Sequence, residues 1–514
     1  MRLKDLFEDE VALTAITGGD RDVSSIVFDT RMLKADCIFV AIRGTEADGH
    51  RFLKDAVARG AIALVVEDEE LVPTDYVGFV RRVKSSREEL ASLAARWCRR
   101  PSKELFTVGV TGTNGKTTTT HMIEAVLNQG GIPTGVIGTI DHHFRSHIWP
   151  TDRTTPDPIV FQTRLREFAD LGAKGVALEV TSHALAQSRV DAVEYDVGIF
   201  TNLTRDHLDY HGTIEAYFEA KLRFFTDLLR DSSKRITRAI LNIDDVWVQK
   251  AATMLRGSTK PIVWTFGEEG RSPGFIADFE FRMEHPGFDG VNVVLRTPNG
   301  ERRLRLAMAG RHNVQNAVCA YATGLAAGMS DELAASAVEK IRGVSGRLEN
   351  VSNSKGLHVF VDYAHTDDAL VAILLLLGEI RETALAEKRS GADAKIITVF
   401  GCGGDRDRGK RPMMMRAALN GSDTVVVTSD NPRTEDPEKI VDDAMAAVTP
   451  AEKSKVHRIV DRRQAIERAV QLARPGDVIL IAGKGHEATQ TIGTVKHPFS
   501  DVHVVREILK ESHV

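Results

Sequence analysis

The sequence is poor in cysteine. Its four cysteines, Cys37, Cys98, Cys319 and Cys402, are scattered through 514 residues without Cys-x-x-Cys or Cys-x-x-His spacing. That excludes a disulfide framework and a thiolate zinc site. Long apolar runs are also missing: the longest, residues 369–377, is far short of the roughly 20 residues a membrane span needs. Charge of one sign is not in excess, since 67 Lys+Arg face 72 Asp+Glu for a net charge of -5 and a pI near 6.4. Neither nucleic acid nor an anionic membrane surface is therefore expected as a partner. The start, Met1-Arg2-Leu3-Lys4-Asp5-Leu6, lacks the apolar core of a signal peptide. A cytosolic protein is expected. Repeats of 20–50 residues and low-complexity tracts are absent too.

What is present is ordinary for a soluble globular protein, 42% hydrophobic and 27% charged. The length exceeds the roughly 250–300 residues at which one core stops growing, so several domains are expected. Short apolar strands alternate with helical patterns, which reads as α/β. Strands are predicted over 25–28, 37–42 and 61–66, with helices over 51–59 and 86–99 and a linker at Arg99-Arg100-Pro101-Ser102. A strand over 105–110 then feeds a Gly-rich loop and a helix over 116–128, and strands over 176–180 and 197–202 end in polar clusters. Residues 275–308 alternate with turn signals, as an antiparallel meander does. Strands over 358–362, 395–400, 424–428 and 478–482 give a last doubly wound sheet. Three domains follow: a small α/β domain over 1–101, a parallel-sheet P-loop domain with the added meander over 102–345, and a Rossmann-like domain over 346–514.

The clearest motif is Gly112-Thr113-Asn114-Gly115-Lys116-Thr117, placed between a strand and a helix. That is P-loop architecture: backbone N–H groups and a helix N-terminus hold phosphates, Lys116 bridges the β- and γ-oxygens, and Thr117 reaches Mg²⁺. Val110 stands where the general pattern has Gly, so the loop is a variant form. The bland alternative is a Gly/Thr-rich turn with a surface lysine. A P-loop by itself names no reaction, since kinases, GTPases, motors and ligases all use one.

Glu179 ends an apolar strand, where a carboxylate needs a cation or a donor. Mg²⁺ beside the P-loop would serve, as would hydrogen bonding alone. Residues 202–212 crowd His207, His211, Asp206 and Asp209 after another strand, which fits a metal-binding histidine or a capped helix start. Lys221, with Glu215 and Glu219 nearby, reads most simply as a solvated ion-pairing lysine.

Taken in order, Gly112–Thr117, Glu179-Val180-Thr181-Ser182-His183, residues 202–212, Gly310-Arg311-His312-Asn313-Val314-Gln315-Asn316 and Asp362-Tyr363-Ala364-His365 make the chain resemble the Mur ligases along its whole length. These enzymes add amino acids to UDP-N-acetylmuramoyl peptides. The likeness is greatest to the branch that adds the third residue to UDP-N-acetylmuramoyl-L-alanyl-D-glutamate.

The resemblance implies the following roles. Gly112, Thr113, Asn114, Gly115, Lys116, Thr117, Thr118, His312, Asn313, Asn316, Arg347, Asp362 and His365 would bind ATP. Val27, Thr30, Thr45, Glu46 and Ala47 would hold the uridine nucleotide, and Thr154, Thr155, Thr181, Gln187 and Arg189 the muramoyl-dipeptide. Lys116, Glu179, His207 and Lys221 would be catalytic. Thr117, Glu179, His207 and Lys221 would serve Mg²⁺, with Lys221 carbamylated by CO₂ and so turned into an oxygen donor. ATP would convert a carboxylate into an acyl phosphate for an amine to attack, with residues 342–347 part of a hinge for domain closure.

Ser429-Asp430-Asn431-Pro432-Arg433 matches the motif of the diaminopimelate-adding members. A guanidinium fork suits the one carboxylate that distinguishes meso-diaminopimelate from lysine. Arg406, Asp430, Asn431, Pro432, Arg433, Gly483 and Glu487 would contact that amino acid, Glu487 taking its ammonium. Without the family, Asn431-Pro432-Arg433 is a plain turn with a surface Arg. Departures are Asp367 where the family usually has Pro, and Thr30 and Thr181 where Ser is commoner. The expected partners are ATP, the UDP-muramoyl-dipeptide and diaminopimelate, acted on by a monomer. Rival readings are a lysine-adding ligase, folylpolyglutamate synthetase, and a scaffold that binds a cell-wall precursor without ligating it. The first should lack Arg433, the second the N-terminal domain and Asp430–Arg433, and the third one of Lys116, Glu179 or Lys221.

Overall fold

The computed structural model describes residues 1–7, 21–44, 47–387 and 393–510. They pack as two compact units, Met1–Asp278 with Cys319–Ala334, and Phe279–Val318 with Ala335–Val514.

The first unit opens with four short strands, β1 (Ser25–Val27), β2 (Cys37–Val40), β3 (Ala63–Val66) and β4 (Phe79–Arg82), parallel and in that order. Successive side chains on a strand point to opposite faces. Here Ile38, Val40, Ala63 and Val65 pack with Leu90 and Leu93, while Phe39, Leu64 and Val66 pack with Leu53 and Ala56. Both faces of β2 and β3 are covered, which is why those two strands are apolar at every position and not at every second one.

The next strands are β5 (Phe106–Thr111), β6 (Thr134–Ile137), β7 (His142–Phe144), β8 (His147–Trp149), β9 (Gly175–Glu179), β10 (Val197–Phe200), β11 (Arg238–Asn242) and β12 (Ile262–Glu268). Their order is β12-β11-β10-β5-β9-β6-β7-β8, parallel except for β7 and β8. From β5 the chain first builds β6 and β9 on one side, then β10, β11 and β12 on the other. The winding reverses at β5, so the carboxyl ends of β9, β5 and β10 frame the crevice in which such sheets place ligands. The helix that carries Lys221 is α-helical over Ile214–Arg223 and continues as a six-residue π-helical stretch, Phe224–Leu229.

The second unit contains the expected meander, β13 (Phe279–Gly287), β14 (Gly290–Thr297) and β15 (Gly300–Leu306), antiparallel throughout. It continues with β16 (Glu349–Asn350), β17 (His358–Asp362), β18 (Ile396–Cys402), β19 (Thr424–Ser429), β20 (Val456–Arg458), β21 (Val478–Ala482), β22 (Thr489–Ile492) and β23 (Val495–Pro498). The six-stranded sheet runs β16-β17-β21-β18-β19-β20, parallel apart from β16, and β22 and β23 form a separate hairpin. Phe360, Phe400, Val425 and Leu480 face one apolar core, and Val359, Val399, Val426 and Ile481 face the other. The predicted strands over 358–362, 395–400, 424–428 and 478–482 are β17, β18, β19 and β21.

The apolar run 369–377 lies in the helix Asp367–Ala386, which buries Leu370, Leu374 and Leu377. No helix among the described residues is long and apolar enough to cross a membrane. Thr366 caps this helix by accepting from Ala369 N, which puts Asp367 at the first helical position. Proline suits that position because its missing N–H is unneeded there, and aspartate suits it because of the helix dipole. The departure at Asp367 leaves the local structure intact.

Candidate active site

Between β5 and the helix Lys116–Gln129, the loop is tied to the end of β10. Thr113 N donates to Asn202 O at 2.9 Å, Asn114 N donates to Asn202 Oδ1 at 2.9 Å, and Thr201 Oγ1 donates to Asn114 O at 2.6 Å. Gly112 sits at φ +146°, and a Cβ there would come within 1.9 Å of Thr201 Oγ1. Only glycine fits. Gly115 caps the helix with no side-chain acceptor over the first N–H groups, as phosphate binding at a helix N-terminus requires. Lys116 Nζ folds back over the loop and donates to the Gly112 and Thr113 carbonyls at 2.9 and 2.8 Å. Thr117 and Thr118 are buried in the first turn.

Lys221 overturns its simplest reading as a solvated, ion-pairing side chain. It is 1% exposed, and among the described residues no carboxylate forms an ion pair with it. Nζ donates to Gly112 O at 2.9 Å and, less well, to Thr111 Oγ1 at 3.4 Å, and it lies 4.7 Å from the Tyr217 ring centroid. Burial first, and then the neighbouring Lys116 ammonium, hold its pKa well below the ordinary lysine value. Tyr217 joins helix to loop through its hydroxyl, 3.2 Å from Thr113 Oγ1.

Glu179, also 1% exposed, lies beside Val110 in the sheet register. Its carboxylate accepts from Thr139 N at 2.8 Å and from Thr139 Oγ1 at 3.0 Å. Gly138 leaves room for it, since a Cβ there would approach Glu179 Oε1 to 2.4 Å. Thr139 belongs to the loop after β6, a strand-end position that the carboxyl-end rule could have flagged. Because the family resemblance implies that Glu179 serves Mg²⁺, Thr139→Val is expected to lower kcat about tenfold, the usual scale for a group that orients a metal-binding carboxylate, read by steady-state phosphate release.

The residues expected to hold the muramoyl-dipeptide do come together around this strand end. Thr155 Oγ1 donates to Glu179 O at 2.6 Å, Thr181 contacts Thr155 Oγ1 at 3.3 Å, and Thr154 Oγ1 lies 3.0 Å from Thr139 Oγ1. Arg189 donates to Thr155 O at 2.8 Å and to Gln187 Oε1 at 2.7 Å. His207 is exposed and sits at φ +52°, with its ring edge-on to His183 at 4.9 Å and 6.1 Å from Tyr217. In the N-terminal sheet, Val27 ends β1 and Thr30 opens a short 3-10 helix capped by Asp29. Ala47 O accepts from Gly44 N at 2.9 Å. Thr45 and Glu46 lie outside the described residues.

In the second unit, His312, Asn313 and Asn316 ride on the helix Arg311–Ala326, with Asn313 Nδ2 donating to Ala309 O at 2.9 Å. Asp362 ends β17 and accepts from Leu348 N and Ala364 N, both at 2.7 Å, while burial pushes its pKa up. Arg347 lies over the Tyr363 ring at 5.1 Å, and His365 and His486 pack against the same ring at 4.6 and 4.9 Å. Tyr363 is thus the hub of that group, which the sequence reading missed. Gly346, in the segment read as a hinge, approaches the Gly485–His486 backbone so closely that a Cβ would meet His486 N at 2.0 Å.

The ends of β19 and β21 bring together the residues expected to bind the amino acid. Gly483, at φ +118°, leaves space for Asp430 Oδ2, which a Cβ would meet at 2.7 Å. Glu487 Oε2 accepts from Asn431 Nδ2 at 2.9 Å and from Lys484 Nζ at 2.8 Å. Burial is the largest single influence and works against the Glu487 carboxylate, but the Lys484 bond and charge, the Asn431 bond and the His486 ring together hold its pKa below the ordinary value. Lys484 is fully buried and also lies 3.6 Å from Asp430 Oδ1. A lysine in a Gly-rich stretch reads as a surface residue, which is why it was missed. Arg406 is exposed, Pro432 is buried, and Arg433 is half-buried. Lys484→Met removes a buried cation that contacts two carboxylates. It should cost about 2 kcal/mol of stability, seen as a lower denaturant midpoint at unchanged m-value.

Family comparisons cover nearly the whole chain. Residues 22–101 match the Mur ligase family catalytic domain, 110–324 the Mur ligase middle domain, and 346–485 the Mur ligase glutamate ligase domain. A Geobacter metallireducens protein, UDP-N-acetylmuramoyl-L-alanyl-D-glutamate–2,6-diaminopimelate ligase, is 41% identical over 99% of both chains. Its namesake in Geobacillus kaustophilus is 41% identical over 96% of both. A solved structure of a ligase of that name aligns with a TM-score of 0.72 at 30% identity, covering 100% of this chain and 99% of the other. With such identity sustained from end to end, and with the phosphate loop, Glu179 and Lys221 assembled at one sheet switch point, the chain belongs to the Mur ligase family.

Proposed function

We propose that this chain is an ATP-dependent ligase joining meso-2,6-diaminopimelate to UDP-N-acetylmuramoyl-L-alanyl-D-glutamate in peptidoglycan precursor synthesis. The observation that carries the reading is the buried Lys221 amine, without an ion-paired carboxylate among the described residues, against the Gly112 carbonyl of a phosphate loop. A phosphate loop alone would fit many reactions. A lysine whose buried amine gives up its proton more readily than usual fits an enzyme that carbamylates it, because CO₂ adds to the free amine with loss of one proton.

A carboxylate is a poor electrophile. Transfer of the γ-phosphoryl group to the D-glutamyl carboxylate gives an acyl phosphate and ADP. The diaminopimelate amine then attacks the acyl carbon, and phosphate leaves as the amide forms. The loop N–H groups and Lys116 neutralise charge on the transferring group. Thr117, Glu179, His207 and carbamylated Lys221 would hold Mg²⁺. The Thr117 hydroxyl and the carboxylate-type oxygens of Glu179 and carbamylated Lys221 suit a hard cation, with His207 adding one nitrogen, and the ion when bound would screen the phosphate charge. Thr155, Thr181, Gln187 and Arg189 would orient the dipeptide, and Val27, Thr30 and the loop around Ala47 the uridine nucleotide. Asp430–Arg433 and Glu487 would receive the amino acid, with Glu487 Oε1 left for its ammonium. The domain limits are 1–101, 102–345 and 346–514, and the enzyme acts as a cytosolic monomer on small molecules.

Purified protein with ATP, Mg²⁺ and the UDP-muramoyl-dipeptide, offered diaminopimelate or lysine, tests the reading through phosphate release and product mass. Rapid turnover with diaminopimelate alone is expected. Equal or better turnover with lysine would sink the specificity, and no turnover with either amine would sink the reaction.

A further inference from the structure

One side-chain cluster takes no part in that chemistry. The helix that follows the phosphate loop carries His121 and Glu124 one turn apart, and β7 carries His143. One nitrogen of each histidine and one oxygen of Glu124 all lie within 4.8 Å of one another. His143 Nε2 is 3.1 Å from Glu124 Oε1, and its Nδ1 is 2.6 Å from Asp141 Oδ1. The two imidazoles meet edge-on with centroids 5.4 Å apart, and His121 Nδ1 is buried without a hydrogen-bond partner.

We propose that His121, Glu124 and His143 form a binding site for a zinc-class divalent cation, separate from the proposed Mg²⁺ site. Two imidazoles and one carboxylate favour a borderline ion such as Zn²⁺ over Mg²⁺, which prefers all-oxygen surroundings. Two ligands bound at about 2 Å in tetrahedral geometry stand about 3.3 Å apart, close to the 3.1 Å between His143 Nε2 and Glu124 Oε1. Asp141 on Nδ1 fixes the His143 ring and leaves Nε2 for the ion, the carboxylate–histidine–metal arrangement of many such sites. Three protein ligands leave a fourth position for water, and the partial exposure of Glu124 and His143 gives the ion a way in. A proton shared between His143 and its two carboxylates would satisfy His143 alone. A metal ion also uses a lone pair of His121.

The site would act as a clamp. It joins the phosphate-loop helix to β7, and the loop between β6 and β7 contains Thr139, the residue that holds Glu179. This inference stands independently of the ligase reading, and its test reads metal binding and not turnover. Full-length protein is stripped with chelator, equilibrated with Zn²⁺ in a large excess of Mg²⁺, dialysed and assayed for metal. One retained equivalent is expected, with a Tm several degrees above that of the stripped protein. Co²⁺ in place of Zn²⁺ should give the strong visible bands of a four-coordinate site. His121→Asn, which breaks no carboxylate contact of His143, should lose the equivalent, the bands and the Tm response while keeping the Tm of stripped wild type. Zinc retention no greater in wild type than in His121→Asn would overturn the proposal, as would Co²⁺-loaded wild type without those bands.

Discussion

Lys221→Ala is expected to lower kcat about 10³-fold, and formate or acetate is expected to restore part of it. The scale is that of losing a preorganised charged group at a phosphoryl-transfer centre. The rescue follows from chemistry: a carbamate presents carboxylate-like oxygens, and a small acid can occupy the space that alanine vacates. Lys221→Met should be as inactive but more heat-stable than wild type when no ligand is present. The lysine amine sits where burial and Lys116 lower its pKa against the opposing pull of Asp206, and it contacts a carbonyl, a hydroxyl and an aromatic ring. As pH falls through the ordinary lysine value, the unfolded chain takes up a proton before the folded chain does. Stability therefore declines with falling pH until the folded amine is protonated as well. Methionine has similar length and no proton to bind, so the decline disappears. Calorimetric Tm across the alkaline range reads this directly. Wild-type turnover in Lys221→Ala, or a lower Tm in Lys221→Met, would remove Lys221 from the role given to it.

Lys221 also marks the limit of what its sequence could tell. Glu215 and Glu219 made it look like one side of a surface ion pair. The burial signal was there in another form: Tyr217 and Lys221, like Phe218 and Leu222, are four apart, so Lys221 shares the apolar face of its helix. The phosphate loop was legible because glycine at Gly112 and lysine at Lys116 answer to steric and charge demands that few other residues meet. The strands β17, β18, β19 and β21 were legible as apolar runs because both their faces are buried. The hairpin of β22 and β23 was not, because its strands are largely exposed and no apolar alternation announces them. Its placement depends on a tertiary bond, Thr491 N to Asn431 Oδ1 at 2.8 Å. Thr139 and Lys484 were hidden for a related reason: each has a partner far along the chain, Thr139 in Glu179, 40 positions away, and Lys484 in Asn431 Oδ1, to which its Nζ donates at 3.3 Å from 53 positions away.

Arg433 is where that hairpin matters to chemistry, and its replacement should cut kcat/KM for diaminopimelate about 10²–10³-fold while sparing lysine. Its backbone is held on both sides, N donating to Thr491 O at 3.1 Å and O accepting from Gly493 N at 2.7 Å. Its guanidinium donates to Gly404 O at 2.6 Å, and among the described residues no carboxylate forms an ion pair with it. Other buried arginines of the same unit are neutralised, Arg411 by Glu435 and Asp443 and Arg462 by Asp501. A half-buried guanidinium with no ion-paired carboxylate among the described residues suits an incoming anion, and diaminopimelate has one carboxylate that lysine lacks. Two charge-assisted hydrogen bonds lost together amount to about 3–4 kcal/mol, which is the stated factor. Because Arg433 sits at φ +49°, the informative variant is Arg433→Asn, which tolerates that backbone and cannot form the fork. Arg433→Lys should recover only part of the loss, since a point charge does not reproduce two-point contact. If Arg433→Asn lowers turnover of both amines equally, Arg433 shapes the loop and does not read the substrate. If it lowers diaminopimelate use alone, the second carboxylate is recognised there.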